Sequence, residues 1–187
     1  MSFLLKSLLI KYKSVITFIL TFLGVYILFS ISYKFYLQFS DGSKFYPDYL
    51  THIVSLQTAD ILNVLGYKAS VSQNPQEPSM YLILNNNYVA RIVEGCNAVS
   101  VIILFLSFIV AFSEKFKTTF LYIITGSVLI YVVNLLRIVL LSIWMYHYPD
   151  QSEIMHGVVF PAIIYGMVFL LWVFWVNRFS NIKKQHV

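Results

Sequence analysis

Three side chains in this sequence have the types that acyl transfer to a thiolate requires: Cys96, Arg137 and His156. A cysteine attacks a carbonyl as its thiolate, a form that a neighbouring cation or imidazolium favours. Acyl transfer also needs a donor for the oxyanion that develops, which a guanidinium provides, and a general acid and base, which an imidazole provides. Each residue has an ordinary role as well. A lone cysteine in an apolar run serves as a small hydrophobe, an arginine near a span end snorkels to the interface, and His156 stands near Pro149, Asp150 and Glu153 as an interfacial loop residue would. Four further residues are supporting candidates. Glu94 is either a partner of Arg91 or Arg137 or a solvated acid, and Asn97 directly follows the cysteine. Asn134 precedes Arg137 by about one helical turn, where it orients the guanidinium or joins helices by a hydrogen bond. His147 competes with His156 as the base, because depth alone does not separate them. His52 and His186 read as solvated.

The elements that must position these residues belong to a membrane protein. The chain has 187 residues, 59% hydrophobic, 18% aromatic and only 11% charged, with a mean hydropathy of +0.75. Soluble domains run at roughly 45–50% apolar and about 25% charged, so an ordinary soluble globule is excluded. A single cysteine excludes an internal disulfide framework and a multi-cysteine zinc site. The net charge of +5 is scattered among apolar segments and forms no basic face, so nucleic acid is not an expected partner. No glycine-rich phosphate loop, repeat or metal-ligand pattern is present, and neither a cofactor nor a metal is expected.

The expected fold is mainly α and polytopic, with about four transmembrane helices at residues 15–32, 96–112, 118–147 and 156–177, in a single membrane domain over 1–187. The first run reads as a span or a secretory signal peptide, and the poor cleavage site at 30–32, followed by Tyr33, Phe35 and Tyr36, favours an uncleaved anchor. The third run is roughly 45 Å long if helical throughout, against a hydrocarbon core of about 30 Å, so its excess must protrude or tilt. With a cytoplasmic N-terminus (1–13) and tail (178–187), Lys6, Lys11, Lys13, Lys115, Lys117, Arg178, Lys183 and Lys184, eight of the thirteen basic residues, fall inside. Seven of the eight acids then fall outside, Glu114 excepted. If the third span enters near Thr118, Arg137 lies roughly 28 Å further along, level with Cys96 and His156 at the outer interface.

Residues 35–94 form the one sizeable polar region, expected outside the membrane as a small α+β segment. Ile53, Val54, Leu56, Ile61, Leu62 and Leu65 give 51–65 an amphipathic helical pattern. Three β-prone runs at 67–72, 80–84 and 88–93, separated by 74–78 and 85–87, predict a small antiparallel sheet leading to Cys96.

Glu94-Gly95-Cys96-Asn97-Ala98 opening a span, Asn134-Leu135-Leu136-Arg137-Ile138 inside the next and His156-Gly157 opening the last resemble, in order and interval, the three signature blocks of the exosortase/archaeosortase family. The resemblance covers about half the chain, which is short for the family and similar to the compact F-type exosortases. The pair after the cysteine departs from the family's usual Ser-Gly. The resemblance implies a protein-sorting cysteine transpeptidase or protease of the bacterial cytoplasmic membrane, active on its outer face. Its substrates would be proteins with a C-terminal signal made of a short motif, one transmembrane helix and a basic cluster. It implies that Cys96 forms a thioester acyl-enzyme, that His156 acts as general acid and base, and that Arg137 stabilises the thiolate or oxyanion. An amine or other acceptor, or water, would resolve the thioester. Gly126, Ser127 and Gly166 are expected to allow close helix approach. The alternative from another class is a non-catalytic membrane scaffold or assembly factor; a small transporter fits less well, since no acid lies mid-membrane.

Overall fold

The computed structural model describes residues 12–40, 45–113, 115–151 and 154–179. Lys6, Lys11, Lys183, Lys184, His186, Glu114 and Glu153, used above to orient the chain or weigh its histidines, lie outside the described residues. The elements run α1 (Lys13–Ser40), α2 (Tyr49–Val64), β1 (Ala69–Gln73), β2 (Ser79–Leu84), β3 (Asn87–Val93), a 3-10 turn at Glu94–Cys96, α3 (Val99–Ala111), α4 (Phe116–His147), a 3-10 turn at Pro149–Gln151, a π-helical turn at Met155–Val159 and α5 (Phe160–Phe179).

Three helices among the described residues are long and apolar enough to cross a membrane: Lys13–Ser40, Phe116–His147 and Gly157–Arg178. The fourth apolar helix, α3, has 13 residues and is therefore about 20 Å long, short of a hydrocarbon core of about 30 Å. It starts later than its apolar run because the 3-10 turn through Cys96 is followed by Ala98 in the left-handed region (φ 66°), and helical geometry begins only at Val99. Conversely, α1 continues past residue 32 to Ser40. None of its residues is buried, although Phe18 packs its ring on Phe108 of α3 and on Phe112 just past its end, at 5.8 and 4.3 Å.

The α+β segment begins where Asp48 caps α2, its Oδ1 accepting from the main-chain N–H groups of Leu50 and Thr51, both at 3.0 Å. The face of α2 that packs inward is Thr51, Val54, Ser55, Thr58, Ala59 and Leu62. This differs from the stripe of large apolar residues expected from the sequence, since Leu56 and Leu65 are exposed. Small side chains let the helix approach its neighbours closely, and the buried hydroxyls of Ser55 and Thr58 satisfy themselves by donating to the carbonyls of Thr51 and Val54, each at 2.7 Å.

The strands form an antiparallel sheet of order β1-β2-β3. Asn85 and Asn86, at φ 50° and 68°, make the two-residue turn between Leu84 and Asn87. Both central residues at positive φ give the hairpin turn that matches strand twist, and asparagine tolerates it. Leu82, Leu84 and Ile92 of the sheet meet Val54 and Leu62 of α2 and Ile138 and Val139 of α4 in one core.

A second core lies at the other end of α4. There Ile130 joins Phe105 and Ile109 of α3 and Val168 and Trp175 of α5, and the Tyr122 hydroxyl donates to the Leu171 carbonyl at 2.7 Å. Gly126 faces Phe105 so closely that a methyl group there would run into the ring, whereas Gly166 has open space around its Cα. With 32 residues, α4 is about 48 Å long, longer than a hydrocarbon core of about 30 Å, and the α+β segment packs on its C-terminal half.

Candidate functional site

Cys96 is carried at the end of the sheet: β3 runs into the 3-10 turn whose last residue is the cysteine, which is partly buried. The turn is held from α4. Asn134, itself buried, donates from Nδ2 to the main-chain carbonyl of Cys96 at 2.6 Å. One turn further along the helix, an Arg137 NH group donates to Oδ1 of the same asparagine at 3.3 Å. The amide therefore uses its donor on the cysteine segment and its acceptor on the guanidinium, which accounts for the three-residue spacing between Asn134 and Arg137. The Nε of Arg137 is buried with no hydrogen-bond partner among the described residues.

Cys96 and Arg137 line one cleft of about 380 Å³. One wall is residues 88–93 of β3, and the other is Arg137, Ile138, Leu141, Ser142 and Met145 of α4. The arrangement sets a thiol and an arginine against a strand edge in a mostly apolar setting. Such a setting strengthens the interaction between a cation and a developing negative charge.

The supporting candidates separate. Asn97 does not line the cleft; it is 2% exposed and ties three helices together, donating to Tyr33 Oη of α1 at 2.7 Å and to Thr51 Oγ1 of α2 at 3.2 Å while accepting from Val99 N at 3.0 Å. Glu94 is exposed and pairs with neither arginine considered for it, since Arg91 forms its ion pair with Glu77 and Arg137 bonds Asn134. His147 is exposed, with Nε2 3.2 Å from the Tyr67 hydroxyl, and is not among the residues lining the cleft. His156 sits on the π-helical turn that precedes α5, and its side chain lies outside the described residues. His52 is half-buried rather than solvated, its Nδ1 3.2 Å from the Tyr46 carbonyl. Among the described residues no group of three or more His, Cys, Asp or Glu side chains gathers to hold a metal ion.

The strand edge, Ser142 and Met145 carry no signal in the sequence, because a backbone edge and an inert side chain become part of a site only through packing. Ala98 had a signal. Its left-handed backbone occupies the position where the resembled pattern has glycine, the residue that adopts this conformation without steric cost.

Neither the comparison with curated proteins nor that with solved structures returns a match. The family model described as Transmembrane exosortase matches residues 7–177, which takes in the cysteine turn, the Asn134–Arg137 pair and the turn bearing His156. The chain belongs to the transmembrane exosortase family.

Proposed function

We propose that this exosortase is a cysteine transpeptidase or protease that cleaves C-terminal sorting signals at the outer face of the bacterial cytoplasmic membrane, with Cys96 as nucleophile. What carries this reading is the cleft shared by Cys96 and Arg137, two residues far apart in sequence.

The Cys96 thiolate attacks the scissile carbonyl carbon, and the negative charge passes to the carbonyl oxygen, where the Arg137 guanidinium offers its N–H donors. As the C–N bond breaks, His156 in its protonated form gives its proton to the departing amine nitrogen, leaving a thioester. An acceptor amine, or water, then adds to the thioester carbonyl and passes its proton to His156, and the thiolate is released. His156 is given the role of base because it stands in the His-Gly pair that opens the last span, whereas the His147 ring already has the Tyr67 hydroxyl 3.2 Å from its Nε2. The substrate's transmembrane helix shares the bilayer with the enzyme, so its scissile bond must meet the nucleophile near an interface.

The test is Cys96→Ala in intact cells, with mass spectrometry of membrane proteins that lose their C-terminal helix. The variant is expected to insert and accumulate normally while every such cleavage disappears; continued cleavage would refute the reading. In the same cells a membrane-impermeant thiol reagent should label Cys96, the chain's single cysteine, and labelling only after lysis would reverse the proposed orientation.

A further inference from the structure

β3 is an edge strand, paired with β2 on one side only. Successive side chains of a strand point to opposite faces, so a cleft lying on a face meets every second residue, whereas a cleft lying along an edge meets every residue. Six consecutive residues of this strand, Tyr88 to Val93, border the cleft that holds Cys96. The cleft therefore runs along the open edge of the sheet, where alternate residues turn their N–H and C=O groups away from β2. Such an edge is a template for another strand. Across the cleft, of about 380 Å³, stand Ile138, Leu141 and Met145 of α4.

We infer that the acyl side of the substrate binds here as an added fourth strand, an extended peptide seated on β3 with its scissile carbonyl at Cys96. This rests on the reading of Cys96 as nucleophile. The direction follows from connectivity. β3 runs towards the cysteine, through Val93 and the 3-10 turn. The residues kept on the thiol after cleavage are those preceding the scissile bond, so they extend back from Cys96 towards Tyr88 and run parallel to β3. Among the described residues, the charged ones lining the cleft are Arg91 and Arg137, and none of the acids does. That charge suits the carbonyl-bearing edge of a peptide and the oxyanion formed from it, and it opposes a cationic segment. Main-chain hydrogen bonds then supply affinity independent of sequence, and successive side chains of the added strand turn to opposite faces of the extended sheet.

The experiment uses the full-length protein in detergent and the probe N-acetyl-Val-Ala-Val-Ala chloromethyl ketone, whose residues occupy the acyl side, with a series N-methylated at one amide at a time. Alkylation of Cys96 is followed by intact-mass and peptide-mapping mass spectrometry, with iodoacetamide as the measure of intrinsic thiol reactivity. N-methylation is expected to slow alkylation about tenfold, the size of one hydrogen bond, at alternate positions and to have little effect at the positions between. A rate changed less than twofold by N-methylation at every position would overturn strand addition. That failure is separable from failure of the nucleophile: uniform tolerance with cleavage lost in Cys96→Ala removes only the added strand, whereas alternating sensitivity with cleavage retained in Cys96→Ala removes only the nucleophile.

Discussion

Asn134 grips Cys96 by its main chain, donating to the cysteine carbonyl at 2.6 Å from a helix that begins in another part of the molecule. The bond leaves the thiol free while fixing the turn that carries it, and the same amide receives Arg137. One buried side chain thus sets the relation between two groups proposed to act on the same carbonyl.

Asn134→Ala removes both bonds and leaves the Cys96 carbonyl without its partner, at a cost of about 1–3 kcal/mol. The rate of substrate cleavage is expected to fall at least about tenfold. Asn134→Asp keeps an acceptor for Arg137 but not the donor to Cys96, so it should be nearly as impaired. Wild-type rates for Asn134→Ala, measured at equal membrane abundance, would show that the turn is held by other contacts.

Arg137→Lys retains the charge but loses the planar fork of donors. Loss of an oxyanion donor costs about 10²–10³ in turnover, and a loss near the lower figure is expected in a single-turnover assay. Near-normal turnover would reassign Arg137 to anchoring α4 at the interface.

Ala98→Gly releases the left-handed strain at φ 66°, worth about 1–2 kcal/mol, against the loss of one buried methyl, about 0.8 kcal/mol. The melting temperature in detergent should stay level or rise slightly, with cleavage intact. Ala98→Val puts a branched side chain into the same backbone and should lower it clearly. Melting of the Ala98→Val variant at the parent's temperature would be incompatible with this backbone.

Gly126→Ala drives a methyl into the ring of Phe105, which is fully buried and has nowhere to retreat. Overpacking of this kind costs about 1–3 kcal/mol, and shortening the ring residue in Phe105→Leu/Gly126→Ala should recover part of it. Gly166→Ala, with open space around it, is the matched control and should melt like the parent. Equal melting of the two alanine variants would contradict the close contact between α3 and α4.

Much of this architecture is legible in the sequence, because periodicity and turn chemistry are local. The alternating runs mark the strands within two residues of their observed ends, and the unbroken apolar length of α4 already requires a protruding end. The inward face of α2 is not legible in the same way. Reading by hydrophobic size selects Leu56 and Leu65, yet a helix pressed against α4 and a sheet buries Thr51, Ser55 and Thr58, and the Ser55 and Thr58 hydroxyls turn back on their own helix. Of the site, the residue types around Cys96 and Arg137 can be seen in the sequence, and so can the one-turn spacing of Asn134. The destination of Asn97 cannot, since its partners Tyr33 and Thr51 lie far away in sequence and meet it only when three helices converge. The edge of β3 is invisible for another reason: unpaired main-chain groups have no letter in a sequence.

Because Cys96 is fastened through Asn134 to the helix that bears Arg137, a tilt of α4 carries the thiol and the guanidinium together. Bilayers differ in thickness by several Å, and long spans adapt by tilting. A site divided between separately tilting helices would change its spacing from one lipid composition to the next, whereas this pair travels as a unit.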